Sequence, residues 1–195
     1  MYAREMLVDN MGFARTVALC NGLFRGWEKH VAASIQFDRD INNLYEKQPP
    51  HLKLRTRDEL RGWEQMRKWG IPEGAKWVCL IVRDGAYLPG LPYHAYRDSD
   101  IDTYLQGARE LARRGYYVFR MGAKVAKPIY TGYAALRFPH QIIDYATNGI
   151  RSDFMDVYLG AKCEFCISSG TGFDAIPVVF RSPVCFVNYV PVEYL

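Results

Sequence analysis

Five short polar clusters each follow an apolar run, and they hold most of the residues able to do chemistry. They are Arg83-Asp84-Gly85, Arg120-Met121-Gly122, Asp144-Tyr145, Ser168-Ser169-Gly170-Thr171-Gly172 and Asn188-Tyr189. The serine- and glycine-rich cluster is the sharpest. Small residues let backbone N–H groups approach an anion, and a helix N-terminus behind them adds a favourable dipole. The hydroxyls of Ser168, Ser169 and Thr171 can donate to phosphate oxygens. The same residue types also make a plain turn with a helix cap, so two readings stand. The cluster is neither a Walker A loop nor a dinucleotide GxGxxG, which leaves ATPase and NAD chemistry without support.

Arg83 and Arg120 follow or end two apolar runs, where a guanidinium can clamp a diphosphate bidentately. Ion pairs to Asp84, Asp144 or Asp153 are the competing use. Asp84, His94, Asp98, Asp100 and Asp102 crowd one loop and the helix start behind it. An acid or histidine there can serve as a general base. Ser99 or Asp100 can equally cap the helix, and Asp102 suits its first turn. Asp153 and Asp156 have the same structural explanation on a later helix. His94 stands out among the four histidines because Tyr93-His94-Ala95-Tyr96-Arg97 is a polar loop. Lys124, Lys127, Arg137 and Arg151 add positive potential or form a solvated face. Tyr87, Tyr93, Tyr96, Tyr130 and Tyr133 can stack on a sugar or base, or pack within their loops. No His, Asp or Glu cluster has metal-ligand spacing, and no GxSxG elbow is present, so no metal site is expected.

These clusters must be positioned by the elements around them. Residues 77–83 form a continuous apolar run into Arg83, as expected of a strand buried on both faces. Further strands are expected at 116–121, 141–146, 162–167 and 184–188. Helices are expected from Thr56, with capping-box spacing to Glu59, over 100–114, and from Ser152 or Asp153 to 159. A short helical turn is expected through about residue 180. Strand–helix–strand alternation with short connections implies parallel strands and right-handed crossovers, an α/β Rossmann-like sheet flanked by helices. In such a sheet, ligands bind outside the C-terminal strand ends, where the five clusters fall. Residues 1–55 are expected to be a mainly helical segment, and 56–195 the Rossmann-like domain.

Composition narrows the class. The chain has 195 residues, 49% apolar and 24% charged, which is ordinary globular composition. A net charge of +4 suits an anionic small ligand and gives little support to nucleic-acid binding. No run approaches the roughly 20 apolar residues of a membrane span, and residues 1–10 lack the apolar core of a signal peptide. The five cysteines, mostly in apolar runs, read as reduced buried thiols of a cytoplasmic protein. Cys163 and Cys166 spell CxxC, but on an expected strand they face opposite sides.

Taken in order, several segments resemble a bacterial family of GT-B-type glycosyltransferases of surface-polysaccharide biosynthesis. They are Val78-Cys79-Leu80-Ile81-Val82-Arg83-Asp84, Tyr93-His94-Ala95-Tyr96-Arg97-Asp98-Ser99-Asp100-Ile101 and Tyr117-Val118-Phe119-Arg120-Met121-Gly122. Ile143-Asp144-Tyr145-Ala146, Arg151-Ser152-Asp153-Phe154-Met155-Asp156 and Cys163 through Gly172 continue the match, with Pro183 and Asn188 to Pro191. It covers roughly residues 50–195.

The resemblance implies a nucleoside-diphosphate-sugar donor in a cleft, with a glycan or lipid-linked acceptor. The nucleotide sugar is the substrate, and no cofactor or metal is implied. Arg83 would stabilise the leaving diphosphate, with Asp84 and His94 as catalytic candidates. Arg120, Gly122, Asp144, Tyr145 and residues 168–172 would complete the donor site. Peripheral association with the inner face of the membrane is compatible with a lipid-linked acceptor. A GT-B enzyme has two Rossmann-like domains, so the chain is expected to be a fragment or truncated product. The alternatives are a non-catalytic nucleotide- or sugar-binding domain and a sugar-phosphate-acting enzyme.

Overall fold

Trp77-Val78-Cys79-Leu80-Ile81 carries no charged side chain and forms β1 (Trp77–Ile81), buried at every position. Its side chains alternate between two apolar clusters. Trp77, Cys79 and Ile81 pack on one face with Met66, Phe119, Met155 and Leu159. Leu80 and, just past the strand, Val82 pack on the other with Ile101, Tyr104, Ala108 and Val118. A strand covered on both faces needs apolar residues on both, which explains the unbroken run.

The structure, a computed structural model, describes residues 16, 19–20, 22–26, 47, 49–50, 52–87, 89–90, 92–129 and 140–189. Most of the expected helical segment 1–55 lies outside the described residues, as do Tyr130, Tyr133 and Arg137. Leu44–Val192 form one unit.

In that unit, α1 (Thr56–Lys68) precedes β1. Two 3-10 turns, Pro92–Arg97 and Ile101–Tyr104, lead to α2 (Leu105–Arg113) and β2 (Tyr117–Met121). β3 (Ile142–Ile143), α3 (Asp153–Lys162) and β4 (Phe165–Ser168) follow. A 3-10 turn, Gly172–Asp174, then α4 (Ala175–Phe180) and β5 (Val184–Phe186) complete it. All the strand pairs are parallel, in the order β3-β2-β1-β4-β5. This is the expected Rossmann-like sheet. From β1 the chain steps outward through β2 and β3, then returns to place β4 on the other side of β1. The crevice at the C-terminal ends of β1 and β4 is therefore the topological switch point.

α1 lacks the expected capping box. Its N-cap is Arg55, in extended conformation and with no side-chain cap bond. Helical geometry begins at Thr56 itself, so the Thr56 hydroxyl is one residue too late to cap. Arg55 instead donates from Nε to Asp58 at 2.6 Å. β3 is shorter than expected because the chain turns at Asp144, whose carbonyl accepts the amides of Thr147 and Asn148. β4 starts later than expected because α3 persists to Lys162.

That extension corrects the CxxC expectation. Cys163 terminates α3, with its thiol donating to the Gly160 carbonyl at 3.3 Å, and only Cys166 lies on a strand. Both are buried, as is Cys79, the register partner of Cys166 on β1. Cys20 and Cys185 are exposed, contrary to the buried expectation. Cys185 sits on the edge strand β5, where one side of the ladder has no neighbour in the sheet.

Two glycines set the helix spacing. A Cβ on Gly62 of α1 would lie 2.1 Å from the Tyr158 ring of α3. A Cβ on Gly160 of α3 would lie 2.8 Å from Ile176 of α4. α3 is thus held closely from both sides.

Candidate functional site

Val82, Arg83 and Asp84 leave β1 at the switch point. A cavity of about 370 Å³ opens there. Its walls come from residues 81–84 and Tyr87 after β1, residues 122–125 after β2, Thr171 to Phe173 after β4, Ile176 of α4, and Asp156 of α3. A smaller hollow of about 90 Å³ adjoins it and includes His94 and Asp98; Arg83, Asp84 and Tyr87 border both. The larger volume is in the range of small-molecule sites.

Arg83 is held firmly by its backbone and loosely by its side chain. Its amide donates to Ser169 Oγ at 2.8 Å, and its carbonyl accepts the Ser99 amide at 2.9 Å. Its Nε lies 3.4 Å from Asp98 Oδ1 without forming a hydrogen bond. A guanidinium so placed keeps its directional donors for a ligand. Lys124 adds a second cation to the same cavity.

Asp84 is a fastener between two loops. Its Oδ1 accepts the Ala86 amide at 3.0 Å, and its Oδ2 accepts the Ala126 amide at 2.8 Å. Both oxygens are therefore engaged by backbone, which ties the loop after β1 to the loop after β2.

Arg120 has a different fate from Arg83. It lies within β2, in register with Leu80, and is 1% exposed. Its Nη1 donates to Asp144 Oδ1 at 3.1 Å and its Nη2 to the Lys127 carbonyl at 3.2 Å. Asp84 Oδ2 lies a further 3.9 Å away. Asp144 also accepts the Ile129 amide at 2.8 Å and the Thr147 hydroxyl. Tyr145 is fully buried between Trp69 and Phe119 and bonds Ser152. Arg120, Asp144 and Tyr145 thus border neither of the two cavities, because the sheet's own interior uses them. The ion-pair reading holds for Arg120.

The loop at 168–172 is internally bonded. Ser168 Oγ accepts the Gly170 amide at 2.9 Å, and both Ser168 and Ser169 are buried. Thr171 and Asp174 form a capping box on the 3-10 turn. The Thr171 amide donates to Asp174 at 2.7 Å, and the Thr171 hydroxyl accepts the Phe173 amide at 3.3 Å. Burial raises the Asp174 carboxyl pKa, while bonds from Ser168 and Thr171 oppose that rise. Gly170 has φ +87°, and a Cβ there would strike the Tyr189 ring at 2.8 Å. Arg97 clamps the Gly170 carbonyl at 3.1 Å. The helix-cap reading is borne out here; Thr171 and Gly172 line the larger cavity, whereas Ser168, Ser169 and Gly170 border neither cavity.

Asp98 and Asp100 part company. Asp98 faces Arg83, whereas Asp100 caps the Ile101–Tyr104 turn and pairs with Lys127 at 2.7 Å. Among the described residues, no group of three or more His, Cys, Asp or Glu is placed to hold a metal ion. Arg151, expected to contribute potential, pairs with Asp153 at 2.9 Å and Asp156 at 2.6 Å.

Asp156 is the cavity residue that sequence reasoning explained away. Its first-turn position on α3 suits the helix dipole, and nothing in the spacing reveals that this turn faces the switch point. Burial raises its carboxyl pKa above the usual aspartate range, while Tyr145 and Arg151 pull it back.

No family model matches the chain, nor does any curated protein or solved structure. The fold and site define a Rossmann-like α/β protein with a cleft at its switch point that two cations, Arg83 and Lys124, and two carboxylates, Asp84 and Asp156, border. No helix among the described residues is long and apolar enough to cross a membrane.

Proposed function

We propose that the chain binds a nucleoside-diphosphate sugar in the switch-point cleft and serves as the donor-binding part of a GT-B-like glycosyltransferase acting on a glycan or lipid-linked acceptor. One observation supports the reading: Arg83, whose Nε makes no hydrogen bond, and Lys124 share a cavity of about 370 Å³ whose lining includes Gly122 and Gly172. The diphosphate lies against the two cations, and the small residues let backbone approach it. As the glycosidic bond breaks, charge grows on the departing diphosphate, and a fixed guanidinium stabilises that state more than the ground state.

A second reading, binding without transfer, draws on Asp84. Both of its oxygens are occupied by amides, which suits a structural role better than proton transfer. His94 then remains as the general-base candidate, bordering the smaller hollow. Mass-spectrometric assay for sugar transfer or donor hydrolysis separates the two readings.

Calorimetry with UDP, GDP, CDP and ADP tests the binding itself. Arg83→Ala is expected to weaken the best ligand by about 10- to 100-fold, as for a lost charge-assisted hydrogen-bond pair. Unchanged affinity in a folded variant overturns the assignment of Arg83. Failure of all four to bind overturns the nucleotide reading.

A further inference from the structure

Ser168 and Ser169 border neither cavity, yet Ser169 holds a residue that borders both. In a parallel ladder, a residue of one strand bonds its neighbour through its amide and its carbonyl, to partners two residues apart. The last register partners of β1 and β4 are Ile81 and Ser168. Ser169 begins one further rung, its amide donating to the Ile81 carbonyl at 3.3 Å. Regular pairing would complete that rung with the Arg83 amide donating to the Ser169 carbonyl. Instead the Arg83 amide donates to Ser169 Oγ at 2.8 Å. A side chain replaces the main chain at the point where the two strands part.

The residues around it set that parting. Gly170 turns with φ +87°, its amide held by Ser168 Oγ at 2.9 Å and its carbonyl by Arg97 Nη2 at 3.1 Å. The chain after β4 thereby leaves the sheet, and the larger cavity lies between residues 81–84 and residues 171–173. Across this gap the hydroxyl of Ser169 keeps hold of the chain after β1. The Arg83 carbonyl accepts the Ser99 amide at 2.9 Å, so both polar groups of its main chain are pinned, whereas its Nε makes no hydrogen bond. Ser169 itself is 1% exposed, too buried to touch a molecule in either cavity.

We infer that Ser169 is a positioning residue: its hydroxyl fixes the main chain of Arg83, so that the guanidinium is set in the cleft before a diphosphate arrives. Donors ordered on folding need not be ordered again on binding, which raises affinity. This rests on the nucleotide reading above, and it gives the serine-rich loop a role other than contact with phosphate.

The test is a double-mutant cycle on the full chain, read by calorimetry with UDP, GDP, CDP and ADP. Ser169→Ala is expected to weaken the tightest of the four by about fivefold, as for the loss of one hydrogen bond. In an Arg83→Met background the same substitution changes that affinity by less than about 1.5-fold, because the residue it acts through is gone. Ser168→Ala removes a buried hydroxyl from the same loop, one that accepts the Gly170 amide rather than that of Arg83. Whatever it does to affinity, it does equally in both backgrounds. Amide hydrogen exchange of the wild type needs no variant to fold: the Arg83 amide is protected although it lies beyond the end of β1. Four results overturn the inference and leave the nucleotide reading intact. They are no loss from Ser169→Ala, an equal loss with and without Arg83, a coupling of Ser168→Ala to Arg83 as large as that of Ser169→Ala, and an unprotected Arg83 amide. Absence of binding by all four nucleotides overturns both.

Discussion

Replacing Arg120 with methionine separates a buried structural arginine from Arg83, the arginine proposed to meet the ligand. Arg120 is 1% exposed and joins Asp144, at 3.1 Å, to the Lys127 carbonyl, at 3.2 Å. Methionine keeps much of the volume but removes every donor. Asp144 is then left 8% exposed without its cation, retaining only the Ile129 amide and Thr147 hydroxyl. Breaking a buried pair by removing one partner costs about 3–5 kcal/mol. The two retained bonds place Arg120→Met near the lower end, about 3 kcal/mol. At about 2–4 °C per kcal/mol for a domain of this size, the midpoint should fall by roughly 6–12 °C. Circular dichroism melts and urea titrations on the same samples read this directly. Arg83→Met should do the opposite, because its side chain has only the 3.4 Å approach to Asp98. It should melt within about 2 °C of wild type, near the limit for a pair that contributes under about 1 kcal/mol, while losing nucleotide affinity. A melt of Arg120→Met indistinguishable from wild type, together with lost nucleotide binding, would refute the reasoning and return Arg120 to the ligand site.

Gly62→Ala should destabilise by about 2 kcal/mol or more, since its methyl meets the Tyr158 ring at 2.1 Å; a gain in stability, as at an open helical glycine, would show that α1 and α3 pack differently. A thiol reagent should label two cysteines in the native chain, Cys20 and Cys185, and all five in denaturant; rapid reaction of a third would contradict the buried placement of Cys79, Cys163 and Cys166. Arg113 and Arg114 hold the Glu110 carboxyl down at about 2. Its folded pKa lies below the unfolded value, so its favourable contribution is complete above about pH 4.5 and disappears as pH falls toward about 2; a side-chain NMR titration with a midpoint near 4.5 would contradict the pairing.

The order and type of most described elements were legible because α2 repeats its apolar residues at helical spacing and β1 is one continuous apolar stretch. The unbroken apolar run of β1 announced a two-sided strand, and the short connections announced parallel pairing. What was not legible is where each strand ends. Arg83 and Arg120 look alike in the sequence, each close behind apolar residues. β1 stops at Ile81, leaving Arg83 two residues beyond it, whereas β2 runs through Arg120 to Met121. Arg120 is in register with Leu80, so three positions along the strand separate a cleft arginine from a core arginine, and no local propensity sets that limit. The capping box at Thr171 and Asp174 had its signal in plain view, a threonine followed three residues later by an acid. The same spacing at Thr56 and Glu59 does not form a box, because the helix begins one residue too early. Asp156 was hidden differently: first-turn acids have an adequate local explanation, and only tertiary placement turns one toward a cavity.

The close approach of α3 to both its neighbours has a consequence for how the cleft responds to a ligand. With Gly62 and Gly160 at contact distance from large side chains, α3 cannot tilt or slide toward α1 or α4 without steric overlap. The wall that carries Asp156 therefore behaves as an anvil. Any adjustment on binding falls to the opposite wall, the loops after β1 and β2, which Asp84 joins so that they shift as one piece. The cleft would then close as a jaw closes, one side fixed and the other moving.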